Sequence, residues 1–144
     1  MKRRALLLVP VLAGLAACET APPREVATVP AAPSGQATLT GTVIYRERIA
    51  LPQDARLTVH VSDVSRMDAP APVIAETEIA TEGRQVPIPF SLTYDRSRID
   101  ARGRYSVSAR ITDGSGRLIW ITDTHNALPP PGGTIELRLV RVTG

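Results

Sequence analysis

The stretch Val86-Pro87-Ile88-Pro89-Phe90-Ser91-Leu92-Thr93-Tyr94 places an apolar residue at every second position. A period of two puts those side chains on one face of an extended chain, where a helix would scatter them around its axis. Pro87 and Pro89 fall on the opposite phase. A proline has no amide to give to a ladder, so this segment is expected at the edge of a sheet. Tyr105-Ser106-Val107-Ser108-Ala109-Arg110-Ile111 repeats the alternation, as does Leu57-Thr58-Val59-His60-Val61. Further strands are expected over 37–45, 73–79, 118–122 and 134–142. Asp113-Gly114-Ser115-Gly116 is a hairpin signal joining 104–112 to 117–122, and Glu82-Gly83 makes another turn. Pro129-Pro130-Pro131-Gly132-Gly133 connects to the last strand.

No helical period appears, and 62–70 holds at most one helical turn. Strands at this density between 37 and 144 predict an all-β fold. The form expected is a single seven- to eight-stranded antiparallel β-sandwich of immunoglobulin- or transthyretin-like type, with a small closed barrel as the alternative. The chain has one Trp, one Phe and three Tyr, so the core must rest on Val, Ile, Leu and Ala. Trp120 and Phe90 are expected at its centre.

The first residues have another character. Lys2, Arg3 and Arg4 precede an uncharged run from Ala5 to Ala16, about a dozen residues against the roughly 20 that a membrane-spanning helix needs. Pro10 interrupts it. Residues 1–17 are therefore expected to be a cleaved signal. The run ends Leu15-Ala16-Ala17-Cys18, which resembles the bacterial lipobox, and Cys18 is the one cysteine of the chain. Lipid attachment at Cys18 accounts for a lone thiol in an exported protein; ordinary cleavage leaving a free thiol is the alternative. By resemblance to enterobacterial sorting, Glu19 directs the protein to the outer membrane, with its domain in the periplasm. Residues 18–36, with Pro22, Pro23, Pro30 and Pro33, read as a tether whose r.m.s. span as a flexible coil is roughly 25 Å. The folded domain is expected over 37–144.

Removing the signal changes the charge. Of the 17 Lys and Arg, Lys2, Arg3 and Arg4 leave with it, so 14 arginines face 14 Asp and Glu. A pI near 9.6 would otherwise suggest nucleic acid; the neutral mature chain removes that argument.

Reactive groups are few. His60 lies on the polar phase of its strand with no second His or acid beside it in sequence, and is expected to be a solvated surface residue. Asp123 and His125, two apart, could face one way and orient an imidazole as a base, yet clusters of Asp, Thr and Asn commonly form turns. No Gly-x-Ser-x-Gly elbow accompanies them, and Gly114-Ser115-Gly116 lacks the helix and lysine of a phosphate loop. The two histidines lack metal-ligand spacing. No catalytic residue, metal or cofactor is expected. Arg96, Arg98, Arg102 and Arg104, interleaved with Asp95 and Asp100, form a mixed-sign solvated connection on which an acidic ligand could dock.

The string Leu39-Thr-Gly-Thr-Val-Ile-Tyr-Arg-Glu-Arg-Ile-Ala-Leu-Pro52 resembles the opening of the YbaY/YscW-type lipoprotein family. Leu57–Arg66 with Ala69-Pro70, Gln85–Phe90, Tyr94-Asp95, Ile99-Asp100, Tyr105–Ile111 and Thr122-Asp123-Thr124 continue the correspondence over roughly 37–142. The resemblance implies a lipid-anchored β-sandwich; one branch, the pilotins, helps place a secretin ring in the outer membrane, and no catalytic residues carry over. The resulting expectation is a non-enzymatic, outer-membrane, protein-binding or chaperone module. It is tied to the membrane by its N-terminal lipid and takes an envelope partner, a secretin or another protein, by strand addition at 84–94 or 134–142. A structural lipoprotein contacting glycans, or a hydrolase using Asp123 and His125, are the alternatives.

Overall fold

The computed structural model describes residues 35–143. The expected signal, Cys18 and the tether up to residue 34 lie outside the described residues. The strands are β1 (Gln36–Ile44), β2 (Arg56–Asp63), β3 (Val73–Ala80), β4 (Ile88–Asp95), β5 (Tyr105–Thr112), β6 (Leu118–Ile121), β7 (Thr134–Arg138) and β8 (Val140–Arg141), and one 3-10 turn spans Arg96–Arg98. They form two sheets, a three-stranded one ordered β4-β1-β7 and a five-stranded one ordered β3-β2-β5-β6-β8. This is a β-sandwich, as the alternation predicts. The helical turn considered for 62–70 is absent: β2 runs on to Asp63 and the loop after it is irregular.

β4 shows why the pattern was decisive. Ile88, Phe90, Leu92 and Tyr94 are buried, while Pro89, Ser91, Thr93 and Asp95 are exposed. Facing them across the sandwich are Leu57, Val59 and Val61 of β2 and Val107, Ala109 and Ile111 of β5, all buried in one cluster. Trp120 of β6 closes the core with its ring stacked on Tyr45, centroids 3.9 Å apart and planes 10° from parallel. Burial pushes the Tyr45 hydroxyl above its usual pKa, with Glu47 adding to the effect, and the hydroxyl donates to the carbonyl of Ile49 at 2.7 Å. The crossing from β3 to β4 is pinned by Thr81, whose amide and hydroxyl both donate to the Ala55 carbonyl at 3.0 Å.

Two features depart from a simple antiparallel pattern. First, β7 pairs with β1 in parallel, from Thr40 opposite Thr134 to Ile44 opposite Arg138. The cause is the path of the chain. After β6, residues 126–128 continue alongside the start of β5, through Val107 N–H to Asn126 C=O at 2.7 Å and Leu128 N–H to Tyr105 C=O at 3.2 Å. That returns the chain to the end where β1 begins, so the next strand must run in the direction of β1. Second, the expected strand 134–142 divides at Leu139. Its amide donates to Ile44 C=O at 2.8 Å, its side chain is buried, and the residues after it join the other sheet as β8.

Gly41 makes the β4-β1-β7 sheet possible. A methyl built on it would run into the carbonyl oxygen of Ile135 and lie 2.8 Å from the Phe90 ring. We expect Gly41→Ala to destabilise the domain by about 1–3 kcal/mol, the usual cost of overpacking, and to displace β7 in particular. Urea unfolding and the amide shifts of 134–138 will check this.

The Asp113 hairpin carries its own clamp. One carboxylate oxygen accepts from Ser115 N–H at 3.0 Å, the Ser115 hydroxyl at 2.6 Å and Arg117 N–H at 3.0 Å, and Gly116 takes the positive φ of 85° that the turn requires. These bonds, the Ser115 hydroxyl first, hold the Asp113 pKa down at about 2. The folded value lies below the unfolded one. The clamp therefore stabilises the turn fully above the ordinary aspartate value of 3.8 and is lost as pH falls through about 2. A carboxyl-carbon NMR titration should show that midpoint.

Candidate functional site

The sequence candidates for chemistry do not assemble. Asp123 and His125 are both exposed, and no hydrogen bond joins them; Thr122 instead holds the strand, its hydroxyl oxygen accepting from Ala109 N–H at 3.2 Å. Among the described residues no group of three or more His, Cys, Asp and Glu could hold a metal ion.

His60 differs from its expected place. It is half-buried, with Nδ1 enclosed and without a hydrogen-bond partner. β2 runs between β3 and β5, so His60 stands between Glu76 and Ser108. Loss of solvent lowers its pKa most; Glu76 opposes that shift and Arg110 reinforces it. Thr58, Ser62 and Ser106 on the same outer phase are buried as well. Polar phase marks the outer face of a strand, but in the middle of a five-stranded sheet the neighbouring side chains shield it.

The arginine-rich connection is ordered by its aspartates. Asp95 caps the 3-10 turn, accepting from Ser97 N–H at 2.8 Å and its hydroxyl at 2.7 Å. Asp100 accepts from Arg102 N–H at 2.8 Å, and Asp100 N–H donates to the Tyr105 hydroxyl at 2.7 Å. The ion pairs found among the described residues are Arg56–Glu78 and Arg117–Asp113, so Arg96, Arg98, Arg102 and Arg104 enter none. Beside this connection lies a depression of about 620 Å³ whose lining includes Tyr94, Ile99 and Leu128 together with Arg96, Arg104 and His125.

Strand edges are the other surface able to take a partner, and they are not equivalent. β4 is an edge strand, as its prolines predict, and Pro89 within it and Pro87 just before it cannot donate. β3 is an edge whose two ends carry arginine side chains on their carbonyls. Arg98 donates to Ile74 C=O at 2.6 Å and Val73 C=O at 3.3 Å, and Arg84 donates to Ala80 C=O at 3.2 Å. Arginine caps of this kind protect an edge from unplanned pairing. β8 has only two residues. β7 has five residues, no proline, and no strand on its far side among the described residues. A trough of about 420 Å³ lies beside it, lined by Thr40, Gly41 and Thr42 of β1 and Thr134, Ile135 and Glu136 of β7. The sequence pointed to both 84–94 and 134–142 as edges; the prolines already weaken the first, while the arginine contacts on β3 appear only in the structure.

Residues 34–141 match the model of a family described as type III secretion system lipoprotein chaperone, YscW. Over 108 residues the chain is 42% identical to a protein of Escherichia coli (strain K12) described as uncharacterized lipoprotein YbaY, a match covering 74% of this chain and 56% of that protein. The chain thus spans about half the length of the curated relative it matches. Among solved structures it is similar to an alternative pilotin from the type II secretion system of Vibrio cholerae, with 48% identity and a TM-score of 0.71 over 76% of this chain and 99% of that one.

Proposed function

The chain belongs to the YscW family of type III secretion system lipoprotein chaperones, and from that premise we propose that it is a lipid-anchored, non-enzymatic envelope protein that holds a segment of a partner protein along β7. Cys18 carries the lipid, and Glu19 beside it directs the protein to the outer membrane. The partner is an envelope protein that needs delivery to or retention at that membrane. A secretin subunit is the leading case, because a pilotin of a secretion system shares this fold and nearly half its sequence.

The observation that carries this reading is the open edge of β7 between edges that are short, capped or proline-bearing. Only about half of the backbone groups on a five-residue strand point outward, enough for two or three new hydrogen bonds. At about 0.5–1.5 kcal/mol each they supply a few kcal/mol, too little alone for a durable complex. The trough at Thr40–Thr42 gives a partner side chain somewhere to bury, and that is where selectivity would arise.

A photo-crosslinking residue at Glu136 tests this in the living envelope. The expected outcome is an adduct with one envelope protein that is missing when the same residue replaces Ser115, at the tip of the far hairpin. No adduct from Glu136, or the same adducts from both positions, contradicts the proposal.

A further inference from the structure

We infer that the end of the sandwich at which β1 begins rests on the bilayer surface, with Met67 entering the headgroup region and Arg96, Arg102 and Arg104 meeting the phosphates of anionic phospholipids. This rests on the acylation of Cys18 proposed above.

The chain enters the described residues at Gly35, whose carbonyl accepts from Arg96 N–H at 2.7 Å. That bond holds Gly35, from which the chain continues toward Cys18, beside the arginine-rich connection. The pairing of Gln36 with Asp95 and of Asp63 with Tyr105 brings the end of β4, the start of β5 and the end of β2 to the same end of the sandwich. The loop after β2 is held there by Val64 N–H to Arg104 C=O at 2.8 Å and by Arg104 N–H to the Ser65 hydroxyl at 2.9 Å. This loop carries Met67, the most exposed large apolar residue described, at 86%. Val73, 47% exposed, lies at the same end beside the Arg98 guanidinium.

Apolar side chains exposed among arginines are what an interfacial surface presents to lipid. Arg66, Arg96, Arg98, Arg102 and Arg104 face Asp63, Asp68, Asp95 and Asp100, a small net positive charge, and three of those carboxylates are tied to backbone amides of their own turns. Asp63 accepts from Ser65 N–H, Asp95 from Ser97 and Asp100 from Arg102 N–H, while Arg96, Arg102 and Arg104 enter no ion pair among the described residues. Such a surface would bind bilayers weakly when free. Tethering changes this, because the sixteen residues 19–34 reach at most about 55 Å, so a covalent link to a lipid-bearing Cys18 makes the encounter intramolecular. The opposite end lies about 30 Å away along the nine residues of β1. In this pose β7, on the flank of the sandwich, stays open to a partner arriving from the side.

The test uses the native acylated protein reconstituted into vesicles of phosphatidylethanolamine and phosphatidylglycerol with bromines on the acyl chains, which quench nearby indoles. Trp120, 2% exposed, provides a constant background. Met67→Trp should lose at least about half of its added emission, whereas Ile49→Trp, 41% exposed in the loop after β1, should lose none. Adding Arg102→Glu and Arg104→Glu to Met67→Trp, or replacing phosphatidylglycerol by phosphatidylcholine, should restore most of the emission. Quenching at Ile49 instead of Met67, at both or at neither overturns the inference, and quenching indifferent to both changes removes the role of the arginines. Protein that does not float with the vesicles and lacks the acyl mass refutes the anchor; vesicle-bound protein with an unquenched Met67→Trp refutes only the orientation.

Discussion

Replacing Trp120 by Ala is expected to lower the unfolding free energy by about 3–5 kcal/mol, the cost of removing a large buried aromatic side chain. The indole is 2% exposed and forms one side of the stack with Tyr45. β6 supplies only four residues and hands the chain on to the segment that turns back toward β7, so a void there loosens the side of the sandwich nearest the partner edge. Domains of this size are held by about 5–15 kcal/mol in total, so the loss takes a large share of it. Urea unfolding should show a lower midpoint with an unchanged slope. Tyr45→Leu serves as the graded comparison: it keeps most of the buried area, loses the stack and the bond to Ile49, and is expected to cost less than Trp120→Ala. Equal stability of Trp120→Ala and the native protein would mean that the packing described here is wrong.

Cys18→Ser is expected to move the protein from the membrane fraction to the soluble fraction of the envelope while leaving the melting temperature of the domain unchanged. Each buried methylene contributes about 0.8 kcal/mol, and a single myristoyl chain holds a protein only reversibly. The proposed acylation of the Cys18 thiol and of its freed amine would add chains beyond that threshold, so the native protein should not exchange on the timescale of fractionation, and a serine at this position would not receive them. Among the described residues no helix is long and apolar enough to cross a membrane. Fractionation of the two proteins decides it; a Cys18→Ser variant that still sediments with membranes would overturn the anchor.

The alternation in β4 was enough to give its inner face residue by residue, because a strand with one buried face repeats every two positions whatever lies beyond it. Its prolines gave the edge. The direction of β7 was not legible, since alternation is the same whether a strand runs with or against its neighbour; it follows from the returning path of 126–128, which no local pattern encodes. The burial of His60 was hidden for a related reason, as its shielding comes from β3 and β5, remote in sequence. The partner edge was half legible. Both outer strands of the small sheet could be named from sequence, but the arginines capping β3 and the trough beside Gly41 are tertiary facts. Cys18 lies outside the described residues, and its reading rests wholly on its place after an apolar run.

The most direct measurement is amide hydrogen exchange over β7, first on the native lipoprotein alone and then on the complex captured through Glu136. The account predicts that the amides of Thr134–Arg138 turned away from β1 exchange quickly in the free protein and become protected in the complex, with β4 unchanged. Slow exchange of those amides in the free protein, or protection that appears elsewhere while β7 stays the same, would contradict it.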